Sequence, residues 1–219
     1  MPTDLAALVD PTHTVVVTME CQRAVIGDLT PFAALRDAAV EAGVLANGPR
    51  LCAGARNAGV RVLHATAERR RDGAGSVANC RMLAASARAG DDDHSILSGT
   101  PGAELVAEFG PEPEDLVVPR LHGLTPFTST SLDQLIRNLG ATTVVVVGVS
   151  VNIGVLGLVI SAVDLGYQVV VVDDAVAGVP LDYGRVVLDN TISLLATMAS
   201  TDDILAVWAD AASAGADAG

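Results

Sequence analysis

Short apolar runs rich in β-branched residues alternate along this chain with longer Ala/Leu-rich segments. The runs predict strands at about 14–19, 60–66, 115–119, 143–149 and 168–173, with a short sixth strand possible near the C-terminus. Runs that are apolar throughout are typical of parallel strands covered on both faces. The pattern therefore predicts a three-layer α-β-α, Rossmann-like fold of the α/β class, with a five- or six-stranded, mainly parallel sheet.

The segments between these runs predict helices. They fall near 32–58, 81–89, 101–108, 131–139, 152–165, 181–198 and 201–213. The first helix is expected to break around Gly48-Pro49, because proline interrupts a helix. Thr201 has the chemistry of an N-cap, since Asp202 and Asp203 follow it in the first turn. The irregular stretch from 68 to 100 predicts a surface excursion, either a lid over a site or a contact with another subunit.

The amino-acid composition is consistent with a single domain. The chain has 219 residues, of which 50% are hydrophobic, so it can bury one sizeable core. We expect a single domain over residues 1–211 and a flexible Ala/Gly-rich tail at 212–219. Aromatic residues are only 3% of the chain, so the core must be built from Val, Leu, Ile and Ala.

Charge and cysteine content exclude several classes of function. The net charge is -13, and all 13 basic residues are arginine, so nucleic acid and anionic membranes are repelled. Cys21, Cys52 and Cys80 show neither disulfide nor metal-ligand spacing, which is typical of reduced thiols. The first residues do not resemble a signal peptide, and no apolar run approaches the roughly 20 residues of a membrane span. We expect a soluble, cytoplasmic protein.

Polar side chains follow three of the predicted strands. Glu20, Arg120 and Ser150 each stand just beyond a strand's C-terminal end, and those ends share one edge of a parallel sheet. Asn152 and Gly154 begin the next helix, whose backbone N–H groups can hold an anion or a developing oxyanion. A glycine at 154 leaves volume that substrate or water could occupy. The sequence therefore predicts a site at this edge.

Three segments carry a family resemblance. They are 15–22 (VVVTMECQ), 117–132 (VVPRLHGLTPFTSTSL) and 143–155 (TVVVVGVSVNIGV). They resemble the Asp-x-Gln, Lys-plus-Phe and Gly-Val-x-x-x-x-Cys segments of the isochorismatase-like hydrolases, also called cysteine hydrolases. The Asp, Lys and Cys positions read Glu20, Arg120 and Gly154, and the Phe is Phe127 after a loop about two residues longer than usual. By resemblance, Val149-Ser150 is expected to be a cis peptide.

The resemblance implies a reaction without a thiol. Isochorismatases have glycine at the position of Gly154 and cleave a vinyl ether with an acidic residue and water. By that likeness Glu20 is the general acid or base and Arg120 the electrostatic stabiliser. Gln22 would orient substrate or water, and the amides near Gly154 would bind an anion. The substrate would be a small, carboxylate-bearing molecule with an enol-ether or C–N bond, and no cofactor is implied.

Further positions are assigned to the substrate pocket or to the core. Ser150, Asn152, Phe127 and His122 are expected to contact substrate, although an exposed loop histidine is also common. His64, on the second strand, is expected to be a hydrogen-bonded core residue. The metal-binding cluster that nicotinamidases carry after this strand has no match here, so no metal site is predicted.

Other interpretations remain open. Glu20 and Arg120 could form an ion pair that only closes the end of the sheet. Gly154 could simply permit tight packing of helix against strand. Cys21 could replace the nucleophile, but side chains alternate along a strand, so Cys21 should face the core if Glu20 faces the cleft. The competing class of function is a non-catalytic ligand-binding or scaffold protein; in either class we expect a homodimer or larger homo-oligomer.

Overall fold

The computed structural model of the chain describes residues 4–88 and 94–216. The sheet has six strands: β1 Thr14–Met19, β2 Arg61–Ala67, β3 Leu116–Arg120, β4 Thr143–Val149, β5 Gln168–Ala177 and β6 Thr197–Ala199. All neighbouring strands are parallel, in the order β3-β2-β1-β4-β5-β6. The predicted fold class is confirmed, and the possible sixth strand is present.

Helices cover both faces of this sheet. They are α1 Leu5–Leu8, α2 Ala33–Glu41, α3 Val44–Asn57, α4 Arg81–Ser86, α5 Leu132–Asn138, α6 Leu156–Asp164, α7 Leu181–Asn190 and α8 Thr201–Ala216. Short 3₁₀ turns lie at Pro11–His13, Pro101–Ala103, Ala107–Phe109 and Ile192–Leu194, and a π-helical turn at Val151–Val155 precedes α6.

Each face of the sheet has its own hydrophobic core. Val16 of β1 belongs to one core with Leu51 of α3 and Trp208 of α8. The next residue, Val17, belongs to the other core with Leu158 of α6. Successive side chains of a strand point to opposite faces, so a run of valines supplies both cores. This explains why β1 and β4 are buried along their whole length.

The predicted position of the break in the first helical segment is corrected by glycine geometry. The segment 32–58 breaks at Gly43 (φ 81°), while Pro49 lies inside α3. Positive φ suits glycine and ends a helix, so Gly43 separates α2 from α3. Gly48 has a packing role instead, because a Cβ there would lie 2.6 Å from the ring of Phe109.

Three further boundaries differ from the sequence pattern. The segment 101–108 forms two 3₁₀ turns, because Leu105 between them is extended in a bridge with Gln22. The segment 181–198 ends its helix at Asn190 and then forms a turn and β6. The cap of α8 is Ser200, whose Oγ accepts from the Asp203 N–H at 3.2 Å.

The excursion at 68–100 lies partly outside the described residues, at 89–93. Its described part contains α4 and contacts the loop after β3, where Ser76 Oγ donates to Leu121 O. For the predicted tail, the backbone of α8 runs to Ala216, and 217–219 lie outside the described residues. In the part of the chain that is described, no helix is long and apolar enough to cross a membrane.

Candidate active site

The strand order places a topological switch point between β1 and β4. The chain proceeds from β1 towards β3 on one side and from β4 towards β6 on the other. In open α/β sheets, ligands bind outside the carboxyl ends of the strands at such a point. Glu20 directly follows β1 and Ser150 directly follows β4, where Met19 and Gly148 are paired in register.

Glu20 and Arg120 are brought together at this edge as an ion pair. Arg120 Nη2 donates to Glu20 Oε1, and Arg120 Nε donates to Gly123 O at 3.0 Å. The Arg120 side chain is 5% exposed and that of Glu20 is 20% exposed. Both residues therefore lie at the C-terminal edge of the sheet, as the sequence predicted, and they are paired with each other.

This pair does not use all of its polar atoms. Arg120 Nη1 is buried and has no hydrogen-bond partner. No donor among the described residues contacts the second oxygen of Glu20, Oε2, which belongs to a partly exposed carboxylate. A buried donor without a partner is costly, and in native structures it calls for an explanation such as a ligand. The pair can therefore accept a proton at one atom and donate to an anion at another.

The backbone at Glu20 is unusual. Its φ is 53°, in the left-handed region that non-glycine residues rarely adopt. Such conformations cost free energy and cluster at functional sites. The Glu20 N–H donates to Ala65 O at 2.9 Å, which fixes the residue to the end of β2.

The side chain of Gln22 has a structural role. Its Nε2 donates to Ala67 O and to Ala103 O, each at 2.9 Å, and its Oε1 accepts from the Ala67 N–H at 2.8 Å. The side chain is fully buried. Both amide hydrogens are used by backbone carbonyls, so Gln22 ties the loop after β1 to the end of β2 instead of pointing to substrate.

The corner between β4 and α6 contains the expected cis peptide, Val149-Ser150. Ser150 Oγ donates to Asn152 Oδ1 at 2.9 Å, and Asn152 Nδ2 donates to Val179 O at 3.3 Å. Ser150, Asn152 and Val179 line a cleft of about 400 Å³ with the segment 31–35. These two predicted substrate contacts therefore share one cleft at the site edge.

Gly154 does not leave the open volume that its identity suggested. A Cβ built there would lie 2.8 Å from Met19 Cε and 3.2 Å from Val149 O. Gly154 is buried on the π-helical turn, and Met19 is fully buried. The side chain of Met19 fills the space, which corrects the expectation that substrate or water occupies it.

Cys21 is fully buried in the core on the α3 side of the sheet, whereas Met19, two residues earlier, lies in the other core. A regular strand would place both residues on one face, so the alternation used to predict the direction of Cys21 ends at Glu20, whose φ is 53°. Burial, followed by the nearby Cys52 and Glu20, raises the pKa of the Cys21 thiol well above its usual value. A buried thiol of this kind is a poor nucleophile.

Phe127 and His122 are not brought into contact with the ion pair. The Phe127 ring stacks on Tyr167, with centroids 6.0 Å apart. Tyr167 directly precedes β5 and so lies at the opposite edge of the sheet, which corrects the assignment of Phe127 to substrate contact. His122 is half-buried on the loop after β3, where its Nδ1 accepts from the Val77 N–H at 3.4 Å.

A second, larger cleft lies beyond the corner. Its volume is about 700 Å³, and its lining includes Val151, Asp173, Asp182 and Arg185. Burial, followed by the charge of Asp174, raises the pKa of Asp173. Within the described ranges, no three His, Cys, Asp or Glu side chains are grouped so as to hold a metal ion.

The fold also contains a buried polar network that the sequence did not reveal. His64 Nδ1 lies 2.8 Å from Thr18 Oγ1, and His64 Nε2 lies 3.2 Å from Asp115 Oδ2. Arg56 donates to both oxygens of Asp115, at 3.2 and 2.7 Å. An ionised Asp115 only accepts, so His64 carries its proton on Nε2 and accepts the Thr18 hydroxyl proton on Nδ1.

Ionisation in this network follows from its contacts. Burial lowers the pKa of His64, and the hydrogen bond and charge of Asp115 only partly offset it. Burial alone would raise the pKa of Asp115, but hydrogen bonds from Arg56, the Glu112 N–H and His64 lower it. The order of Thr18, His64 and Asp115 resembles a hydrolase triad, yet Thr18 is fully buried and substrate cannot reach it. His64 is thus the hydrogen-bonded core residue that was predicted.

Comparisons with known proteins agree with this geometry. The family model of the isochorismatase domain matches residues 14–203. A search of curated proteins gave no significant match. Solved structures that are similar include a cysteine hydrolase from Pseudomonas syringae pv. phaseolicola (22% identity, TM-score 0.78, covering 93% of this chain and 96% of that one).

Two other solved structures cover a comparable length. An isochorismatase family protein from Desulfovibrio vulgaris is 26% identical, with a TM-score of 0.73 and coverage of 88% of this chain and 98% of that one. N-carbamoylsarcosine amidase from Thermoplasma acidophilum is 21% identical, with a TM-score of 0.67 and coverage of 87% and 97%. The described fold therefore spans nearly the full length of each of these relatives.

Proposed function

Because the chain belongs to the isochorismatase family, we propose that it is a hydrolase that acts on a small, carboxylate-bearing molecule without a covalent thiol intermediate. The bond cleaved is an enol ether or a C–N bond. The observation that supports this most is the Glu20–Arg120 pair at the switch point, which keeps one carboxylate oxygen and one buried guanidinium nitrogen available. These two atoms match the two needs of the reaction: a proton acceptor and an anion-binding donor.

Each residue of the pair has a distinct role in this proposal. Arg120 Nη1 donates to the substrate carboxylate or to negative charge that develops on the leaving group. For a C–N bond, Glu20 as the carboxylate takes a proton from water while the water oxygen attacks the carbonyl carbon, and the same proton then passes to the leaving nitrogen. For an enol ether, protonated Glu20 first donates its proton to the alkene carbon, then takes a proton back from the water that attacks the resulting cation; the hemiketal so formed collapses to the ketone and the alcohol. Ser150 and Asn152 line the adjacent cleft and contact the rest of the substrate.

The absence of a usable thiol supports water as the nucleophile. Position 154 is glycine and is packed against Met19. Cys21 and Cys52 are buried, and burial raises the pKa of Cys52 to about 12. Cys80 is exposed, but it lies at the start of α4 and not at the end of a strand.

A substrate panel tests the proposal. It contains enol ethers of pyruvate and N-carbamoyl or N-acyl amino acids, the latter because one structural relative is an N-carbamoylsarcosine amidase. Each compound is incubated in ¹⁸O-labelled water, and intact-protein mass spectra are recorded during turnover. We expect ¹⁸O in the hydrolysis product, no acyl adduct on the protein, and activity that survives prior alkylation of the thiols. An adduct on Cys21 would contradict the proposal, and binding without turnover would favour the ligand-binding alternative.

We also propose that the protein is a cytoplasmic homodimer or larger homo-oligomer. Apolar side chains stand exposed on the outer helical layer, among them Tyr183 (52%), Val186 (52%) and Leu194 (80%), and a second copy would cover them. The free thiols are consistent with a reducing compartment. Light scattering at micromolar concentration checks the assembly, for which a monomer mass is the contrary result, and cell fractionation checks the location.

A further inference from the structure

Arg120 is held from two sides by hydrogen bonds. Its Nη2 donates to Glu20, which follows β1, and its Nε donates to Gly123 O at 3.0 Å. The second bond stays within the chain segment that follows Arg120 itself. The direction of the guanidinium, and with it that of the unpartnered Nη1, therefore depends on where residues 121–123 lie. We call these three residues the site loop.

The site loop has little packing of its own. Leu121 is exposed, and His122 and Gly123 are half-buried. None of the three belongs to either of the two hydrophobic cores. Gly123 has a φ of 94°, which an L-residue rarely adopts, so the turn back towards Arg120 is made at a glycine. The hydrophobic core therefore does not fix the position of this loop.

Contacts from the surface excursion after β2 hold the site loop instead. Ser76 Oγ donates to Leu121 O, and the Val77 N–H donates to His122 Nδ1 at 3.4 Å. A Cβ built on Gly75 would lie 3.7 Å from Leu121 Cδ1, an ordinary van der Waals distance. Among the described residues, these two bonds are the only hydrogen bonds that join the site loop to another segment.

The excursion is itself anchored beside Arg120. The Glu68 N–H donates to Arg120 O at 2.8 Å, directly after the last paired residues of β2 and β3. Arg69 then forms a parallel bridge with Leu97, and the Ser98 N–H donates to Arg69 O at 2.8 Å. Leu97 is buried at this base. The excursion therefore starts from the same strand end as Arg120 and returns to it.

We propose that Ser76 is a positioning residue for Arg120. Its bond to Leu121 O holds the site loop, the loop places Gly123 O, and Gly123 O directs the guanidinium so that Nη1 meets the substrate anion. The excursion then serves as a support for the site rather than as a lid over it. This inference rests on the proposed anion-binding role of Arg120, although the contact itself can be tested without any ligand.

Hydrogen exchange at the arginine side chains tests the contact. The Nε–H of Arg120 exchanges with water only when its bond to Gly123 O opens, so its exchange rate reports the open fraction of the site loop. The rates are read from ¹H–¹⁵N spectra of the intact protein by transfer of saturation from water. Arg56 Nε, which donates to Asp115, is the internal reference in each spectrum.

Three variants separate the hydroxyl of Ser76 from its surroundings. Ser76→Ala removes the donor, and Ser76→Thr keeps it. Ser193→Ala is the matched control, because Ser193 Oγ also donates to a backbone carbonyl at the surface, that of Asp189 at 2.7 Å. Melting temperatures of all three are recorded on the same samples.

We expect exchange at Arg120 Nε to become about two to ten times faster in Ser76→Ala, which corresponds to the loss of one hydrogen bond of ordinary strength. Ser76→Thr and Ser193→Ala should keep the parent rate, and Arg56 Nε should keep its rate in every variant. An unchanged rate at Arg120 Nε in Ser76→Ala would overturn the proposal. An equal rise at Arg56 Nε would overturn it as well, because it would indicate general opening of the fold.

Titration with benzoate connects this contact to the proposed function. Ser76→Ala should bind benzoate at least about twofold more weakly than the parent, because only molecules with a closed site loop are competent to bind. Equal affinity of the two proteins would overturn the positioning role. If the parent does not bind benzoate, the proposed anion-binding role of Arg120 fails, whereas a selective rise in exchange at Arg120 Nε would still support the contact with Ser76.

Discussion

Two ion pairs lie at opposite ends of β3: an inner pair of Asp115 with Arg56 of α3, and an outer pair of Arg120 with Glu20. They differ in how completely their polar atoms are used. In the inner pair, Asp115 accepts from Arg56 with both oxygens, and its Oδ2 also contacts His64 and the Glu112 N–H. In the outer pair, Arg120 shares one hydrogen bond with Glu20 and keeps a buried nitrogen without a partner. The inner pair is complete, and the outer pair is not.

Burial of the arginines does not explain this difference, although Asp115 is fully buried and Glu20 is 20% exposed. The Arg120 side chain is 5% exposed and that of Arg56 is 14% exposed, so the guanidinium of the incomplete pair is the more deeply buried of the two. Buried ion pairs are in themselves weak evidence for stability or for function. The two pairs differ in whether all of their polar atoms have hydrogen-bond partners. A network in which these atoms are paired stabilises the fold, whereas a buried donor without a partner beside a partly exposed carboxylate is suited to binding a ligand.

The largest expected effect is on the complete pair. Asp115→Asn leaves Arg56 without its counter-charge and gives His64 Nε2–H a poorer acceptor, so the free energy of unfolding should fall by about 3–5 kcal/mol. Urea denaturation measures the loss. The control is Asp189→Asn, which removes the exposed partner of Arg185 and should cost no more than about 0.5 kcal/mol. A loss below about 1 kcal/mol for Asp115→Asn would mean that the inner network is not structural.

The incomplete pair should respond to an anion instead. Benzoate at about 100 times its dissociation constant should stabilise the protein by about 2.7 kcal/mol, or roughly 5–10 °C in melting temperature, through Arg120. Benzamide, which has the same shape without the charge, should give little shift, and so should benzoate added to Arg120→Gln. Equal shifts with benzoate and benzamide would remove Arg120 as the anion-binding group.

A smaller effect is expected from pH, and it reports on the inner network. The pKa of His64 is lowered by burial, so below about pH 6.5 the unfolded chain binds a proton that the folded chain does not. Stability should therefore fall as pH drops from 7.5 to 5.5, by up to about 1.4 kcal/mol per pH unit. The contribution of Asp115, whose pKa is also lowered, is lost only at more acidic pH, below its unfolded value of about 3.9.

The matched variant for this pH dependence is His64→Gln. It should show a flatter profile between pH 7.5 and 5.5 in urea titrations, although its stability at pH 7.5 will be lower. An unchanged slope would show that another group titrates in this window.

The sequence predicted the elements around the site better than the contacts within it. The bounds of β1 and β4 were predicted to the residue, because a fully buried parallel strand is a continuous apolar run bounded by polar residues. The convergence of Glu20 and Arg120 followed from the rule that parallel strands end at one edge. The helix break at Gly43 was missed because Pro49, which interrupts most helices, is accommodated inside α3.

The contacts that were missed join residues far apart in the chain. Asp115 reaches His64 across 51 positions, and Thr18 reaches it across 46. Neither contact leaves a periodic signal, since each depends on how two neighbouring segments of the sheet align. Met19 against Gly154 is a similar case: the glycine was visible, but the side chain that occupies its space is known only from the packed structure.

The central claim is that Glu20 is a working carboxylate and not only the partner of Arg120. Glu20→Gln keeps size and hydrogen bonding but cannot accept the proton, so turnover of the best substrate of the panel should fall at least about 100-fold. The free energy of unfolding, measured on the same preparation, should fall by clearly less than in Asp115→Asn, because Glu20 is partly exposed and shares one hydrogen bond with Arg120. Glu104→Gln, at an exposed pair with Arg23, is the control and should change neither quantity. A loss of several kcal/mol in stability, with turnover unchanged or absent in the parent protein, would contradict the account.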